Sequence, residues 1–368
     1  LGKLDQLTSR IGGLLAKPFS FIVIPIAKAR LRQLVGHLIV DARPGKLTKH
    51  IATTKADGIR LNLNLLGEAV LGNQEANYRY EETFNLLRRA DVDYVSIKLS
   101  AVAAQLSMWG FEQTVDRLVE KLIPIYMFAA SRSSNKFINL DMEEYRDLGL
   151  TILVFKKLLA EPELMKLEAG IVLQAYLPDS FDALKELSNF AQERVASGGA
   201  GIKVRIVKGA NLAMEVVDAK WHGWELATYS SKAESDANYK RLIDYALDPI
   251  RIQSLRVGIA GHNLFDLAFA HQLAVHRNIT ERVEYEMLQG MAQHLSKQVK
   301  KSVGGLLLYT PVVRRSEFQV AVAYLTRRLE ENGSPENFMS GVFDITEDKT
   351  VFDRERMRFE SSLRLMDD

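Results

Sequence analysis

From residue 59 onward the chain alternates between two textures. Short runs rich in β-branched and aromatic residues each give way to a helix-length amphipathic stretch. The runs are "IRLNLNLL" (59–66), "YVSIKLS" (94–100), "FINLD" (137–141), "IVLQAY" (171–176), "KVRIVKG" (203–209), "RVGIAGH" (256–262), "RVEYEML" (282–288) and "GLLLYTP" (305–311). Helical patterns such as "SFDALKELSNFAQERVA" (180–196) fill the gaps. Eight strand–helix units in succession predict an α/β fold, a (βα)8 TIM-type barrel. An open doubly wound sheet would carry a glycine-rich phosphate turn after its first strand. Here that strand runs into "LLGEAVLG", which lacks the G-x-G-x-x-G spacing.

The residues before the barrel read differently. "LDQLTSRIGGLLAKPF" and "KARLRQLVGHLIV" predict helices. The expected division is therefore a small helical segment over 1–56, the barrel over 57–343, and a C-terminal extension or linker over 344–368. The most apolar early stretch, "FSFIVIPIA" (19–27), is far shorter than the ~20 residues of a membrane span, and Pro25 interrupts it. Leucine at position 1 points to an excised or processed piece.

Composition narrows the chemistry. The chain has 368 residues and a net charge of +2, so no strong basic field points to nucleic acid. The absence of cysteine excludes disulfides, thiol catalysis and Cys-ligated metal, and leans cytosolic. The longest gap between strands carries "KWHGWELATYSSKAESD", expected to elaborate an active-site loop.

In such a barrel the active site is built at the C-terminal strand ends. Those ends carry Glu68, Lys98, Asp141, Gln174, Arg205 with Lys208, His262 with Asn263, Glu286 and Tyr309. Any one could be structural, but charges gathered on one rim need work or partners, because burying them is costly. A metal-dependent hydrolase would use Asp141, Glu143, Glu144 and His262, yet the remaining histidines fall in helix or loop patterns. The cations Lys98, Arg205, Lys208, Arg327 and Arg328 outnumber the rim acids and favour a cofactor barrel that takes an anionic small molecule.

Two of those cations stand side by side in "AYLTRRLEENG" (323–333). Ser316 with Gln319 can form a capping box and Gly333 suits a C-terminal cap, which predicts a helix over 317–332. Adjacent helical residues point about 100° apart, so the guanidinium groups splay. They are either a solvated face opposite Glu330 and Glu331, or a fork for an anion.

Six segments at these positions, "LDMEEYRDL" (140–148), "IVLQAY", "VRIVKGA" (204–210), "AGHN" (260–263), "LQGMAQ" (288–293) and "AYLTRRLEENG", together resemble the proline dehydrogenase family. Within it they are most similar to the proline dehydrogenase region of bifunctional proline utilization A. The resemblance runs in order from about Val35 to Phe343. It implies noncovalent FAD, oxidation of L-proline to pyrroline-5-carboxylate by hydride transfer to flavin N5, and delivery of electrons to a membrane quinone. It also implies a following pyrroline-5-carboxylate dehydrogenase domain, an α-domain-like role for residues 1–56, no metal, and a cytoplasmic protein seated peripherally at the inner membrane face.

By position, Arg327 and Arg328 resemble the pair that grips the proline carboxylate, helped by Lys98. Glu68 resembles the acid that pairs with Arg327 over bound substrate. Tyr309 resembles the tyrosine against the proline ring and Asp141 its hydrogen-bonding partner, with Leu288 as an apolar wall. Lys98, Asp141, Arg205 and Tyr309 make up the expected catalytic group. Tyr324 resembles the tyrosine that excludes a 4-hydroxyl, which favours proline over hydroxyproline; a silent flavin-binding barrel is the other alternative. For the cofactor, Gln174 and Arg205 resemble side chains beneath the isoalloxazine, Arg205 close to N5. Val207, Lys208, Gly209 and Ala210 follow along that strand end, and Ser230 and Lys232 resemble pyrophosphate contacts. His262 and Asn263 lie where the family meets the cofactor's outer part, the resemblance implies that Leu288 contacts it as well, and Glu331 resembles a flavin-side acid. One departure is Asn211, followed by Leu212, where many relatives carry an aromatic residue after "KGA".

Overall fold

The computed structural model describes residues 36–366 except 68, 132–135, 315, 316 and 335, together with residues 21, 25 and 26; within the helix Phe318–Gly333 it leaves out the side chains of 320, 323 and 329–333. Most of the expected N-terminal helical segment, Glu68, Ser316 and the Glu331 side chain therefore lie outside the described residues.

A two-residue strand β1 (Val40–Asp41) precedes eight that form the barrel: β2 (Arg60–Leu65), β3 (Tyr94–Lys98), β4 (Phe137–Asp141), β5 (Gly170–Gln174), β6 (Ile202–Val207), β7 (Leu255–Ala260), β8 (Val283–Leu288) and β9 (Leu307–Val313). Each coincides, within two residues, with one of the runs read from the sequence. Every pairing is parallel, and β9 bonds to both β2 and β8, which closes the sheet.

Alternation along the strands separates two interiors. Leu61, Leu63, Val95, Ile97, Ile138, Leu140, Val204, Ile206, Val257 and Ile259 are all buried in the apolar core between strands and helices. The alternate positions fill the barrel with polar groups that bond to one another across strands. Asn62 donates to Ser96 (3.0 Å), Ser96 and Asn139 donate to Asp141 (3.2 and 2.8 Å), and Lys203 contacts Glu286 (2.6 Å) and Glu284. A Cβ on Gly258 would lie 2.4 Å from Glu286 Oε1, so the bare backbone makes room for this column.

One expectation needs correcting. The helix read over "KARLRQLVGHLIV" does not extend to its last residue: 36–38 form a turn, and Val40 pairs in parallel with Val312 of β9. Val40 is buried there, and Pro44 starts a separate helix, α1 (Pro44–Ala56), at the position where its missing N–H costs nothing.

Behind β2 to β5 pack α2 (Asn73–Arg88), the short α3 (Leu99–Val102), α4 (Phe111–Ala130), α5 (Leu148–Ala160) and α6 (Ser180–Ala196). The long connection after β6 forms α7 (Leu212–His222) and α8 (Lys232–Ala246), then come α9 (Leu264–His276), α10 (Gln293–Val303) and α11 (Phe318–Gly333). Residues 349–364 are also helical: α12 (Lys349–Arg364) sets Phe352 and Phe359 against Phe265 and Phe269 of α9. Among the described residues no helix is long and apolar enough to cross a membrane.

Candidate active site

A cavity of about 290 Å³ opens where the strands end, and all eight barrel strands contribute to its wall, seven at or just beyond their C-terminal ends and β9 through Tyr309, its third residue. Its floor is the top of the polar column. Asp141 accepts from Tyr309 Oη (2.8 Å), Asn139 and Ser96, and lies 3.6 Å from Arg205 Nη1. Arg205 Nε is 2.7 Å from Glu286, and the Arg205 guanidinium sits 4.6 Å from the Tyr309 ring centroid. Burial works against charge on Arg205, but Glu286 and Asp141 outweigh it and push its pKa further up, so this cation is permanent. Burial, reinforced by Asp141, likewise raises the Tyr309 phenol well above its ordinary range and keeps it a hydrogen-bond donor.

One side of the cavity is cationic. Lys98 ends β3, while Tyr324, Arg327 and Arg328 descend from α11, with the Arg328 guanidinium 5.2 Å from the Tyr324 ring centroid. Tyr324 precedes the arginines by three and four residues, which puts all three on neighbouring positions of one helix face. Between the two groups stands Glu143, 2.5 Å from Lys98 Nζ and 4.0 Å from Arg327 Nη2. Leu288 closes this end with Met291.

The opposite side is built from the β5 and β6 ends. The buried Gln174 amide donates to the Met142 carbonyl (2.7 Å), while its own Oε1 has no partner within the protein. Gly209 holds φ +122°, and a Cβ there would fall 2.5 Å from the Tyr176 ring, so only glycine lets the chain pass under the cavity. Val207, Lys208, Ala210, Asn211 and Lys232 continue this wall. His262 Nε2 accepts from the Leu288 amide (3.3 Å), which leaves its Nδ1 as the protonated nitrogen. Burial and the neighbouring Arg328 hold that imidazole near a pKa of about 4, neutral at physiological pH. Asn263 caps α9 by accepting from Phe265 (3.0 Å) and also lines the cavity.

Of the described residues that the resemblance assigned to substrate or cofactor, Ser230 alone lies away from this wall. It is exposed and donates to Glu234 (2.9 Å) beside the α8 capping box. The sequence reading gave no role to two carboxylates that matter here, Asp236 and Asp266; it named Glu286 only as a rim residue and weighed Glu143 only as a ligand of a metal hydrolase. Asp236 could have been found, because it follows Lys232 by four residues on one helix and binds it at 2.5 Å. The candidate hard ligands are otherwise engaged: Asp141 by Tyr309, Glu143 by Lys98 and Glu144 by Arg146 (2.6 Å). Among the described residues no group of three or more His, Asp or Glu is arranged to hold a metal ion.

Comparison with known proteins agrees with the fold. Over 99% of its length the chain superposes on proline utilization A from Corynebacterium freiburgense, with a TM-score of 0.83 and 49% identity, covering 35% of that chain. Proline utilization A from Bdellovibrio bacteriovorus inactivated by N-propargylglycine gives the same TM-score at 29% identity, with 95% of this chain and 37% of that one covered. The bifunctional protein PutA of Klebsiella aerogenes is 29% identical over 78% of this chain but only 23% of its own length. The proline dehydrogenase of Deinococcus radiodurans is 25% identical over 83% of this chain and 88% of its own. The chain thus spans about a quarter of the length of the bifunctional curated relatives it matches. The family model described as proline dehydrogenase matches residues 47–341, which contain the whole barrel and its cavity, and the chain belongs to the proline dehydrogenase family.

Proposed function

We propose that the chain oxidises L-proline to pyrroline-5-carboxylate with bound FAD and passes the electrons to a membrane quinone, as the dehydrogenase part of a proline utilization A-like protein. On this reading residues 57–343 are the catalytic barrel, the protein works in the cytoplasm at the inner membrane face, and a pyrroline-5-carboxylate dehydrogenase domain is its partner. The observation that carries the reading is the cationic side of the cavity. Lys98 and Arg327 share one carboxylate, Glu143, in the wall of the cavity that Tyr309 and Arg205 also line. A substrate carboxylate can take over that position, with planar guanidinium donors on one side and an ammonium on the other. That a relative is inactivated by N-propargylglycine, itself a secondary amine with a carboxylate, supports the same substrate class.

The residues present also fit a flavin dinucleotide. Gln174 Oε1 is a buried acceptor without a protein partner, Gly209 brings bare backbone to the cavity wall against the Tyr176 ring, and Lys208 and Lys232 lie at the end suited to a diphosphate. FAD, when bound, supplies the acceptor for the hydrogen and electron pair that leave proline C5. Arg205 keeps positive charge next to that acceptor. Arg327, Arg328 and Lys98 fix the carboxylate, Tyr309 supports the ring, and Tyr324 excludes a 4-hydroxyl. Asp141, already accepting from Tyr309, Asn139 and Ser96, holds the tyrosine in place. The test is turnover with L-proline and a soluble quinone. Cyclic imine formed in step with quinone reduction supports the assignment; reduction without imine, or no reduction, overturns it.

A further inference from the structure

We propose that Lys240, buried behind the cavity wall and held by the C-terminal helix, is a positioning residue that leaves the dinucleotide end of the site with one surplus positive charge. The inference rests on the FAD reading above. It also extends the site to a helix that lies beyond the residues matched by the family.

Lys208 meets two carboxylates, Asp236 Oδ1 at 2.5 Å and Asp266 Oδ2 at 2.6 Å. The other oxygen of Asp236 takes Lys232 at 2.5 Å, a second lysine on the cavity wall. The other oxygen of Asp266 takes Lys240 at 2.9 Å, away from the cavity. Lys240 is 1% exposed, and donates as well to Ser362 Oγ of α12 (2.8 Å), while its ammonium lies 4.8 Å from the Phe359 ring centroid. Three lysines therefore share two aspartates.

Electrostatics within the cluster point the same way. Burial raises the cost of charge on Asp236, yet Lys208 and Lys232 outweigh it and hold the carboxyl at about 2. Lys232, by contrast, is pushed down by burial and by the charge of Lys208, while Lys208, which meets both carboxylates, is raised by Asp266 and Asp236 in spite of its own burial. Lys240 draws on one oxygen of Asp266, so that carboxylate does not neutralise Lys208 alone. A diphosphate reaching Lys208 and Lys232 would complete the balance, and salt screens partly buried charges less than exposed ones. The C-terminal helix holds both ends of the arrangement. Ser362 fixes Lys240, while Phe352 and Phe359 pack on α9, whose first turn carries Asp266.

The experiment compares flavin release from the holoprotein after dilution, for the parent, Lys240→Met, Lys240→Arg and Ser362→Ala. The affinity of flavin-stripped protein for riboflavin, which has no diphosphate, is measured alongside. Lys240→Met should release FAD about tenfold faster or more, the size expected for a charged contact. Lys240→Arg should restore most of the retention, and Ser362→Ala should fall between. Riboflavin affinity should not change. An unaltered release rate in Lys240→Met, or an equal loss for riboflavin, overturns the proposal. If Lys240→Met does not fold, Ser362→Ala decides, and parent-like release there overturns it too. A parent that binds no flavin overturns the FAD reading itself, and this inference with it.

Discussion

At the residue scale, two side chains make sharp demands. Tyr324 is 7% exposed and stands on the helix face that carries Arg327 and Arg328. If the arginines hold a carboxylate, the far ring carbon of a five-membered substrate faces this phenol, and a 4-hydroxyl there loses water without a matched partner, at a cost on the order of 1–3 kcal/mol. Tyr324→Ser should lower kcat/KM for proline and spare or raise it for trans-4-hydroxyproline. An unchanged ratio would return Tyr324 to a purely structural role. His262 makes a pH prediction. Its folded pKa of about 4 lies below the unfolded value near 6.5, so the unfolded chain binds more protons between those limits. Its contribution should therefore make the protein less stable as pH falls from about 6.5 to about 4, with no further change below. Urea titrations of parent and His262→Gln across that window should show the gap between them narrowing or reversing; a constant gap would contradict the neutral, buried imidazole.

At the scale of elements, the eight strand–helix units were legible because each run is short, β-branched and followed by a helical period. The strand ends then identified most of the cavity without any coordinates. What the sequence hid is the pairing. Nothing in "RVEYEML" says that Glu286 will meet Arg205 and Lys203 from a different strand, since that contact depends on barrel closure and register. Val40 escaped for a related reason: its preference for a strand is realised only by β9, far away in the chain. Gly209, by contrast, is a local feature with a testable cost. Gly209→Ala must adopt a left-handed φ and push a Cβ into the Tyr176 ring, so a loss of about 1–3 kcal/mol is expected, with faster flavin release. Thermal denaturation at parental Tm would mean that the β6 turn relaxes freely.

For the whole molecule, the barrel joins two kinds of packing. An apolar layer outside the strands supplies the stabilising burial, and a column of compensated charges inside them supports the cavity floor. Such a column is costly unless every member is paired, which fits its near-complete exclusion from solvent. The account's central claim is that this floor and the α11 cations act on one substrate. The most direct measurement is the absorbance of the protein-bound flavin under anaerobic titration with L-proline. The account predicts stoichiometric bleaching in the parent, and a half-saturating proline concentration roughly 10- to 150-fold higher in Arg328→Met with flavin content unchanged. A bound flavin that L-proline leaves oxidised, or an Arg328→Met titration that overlays the parent's, would contradict it.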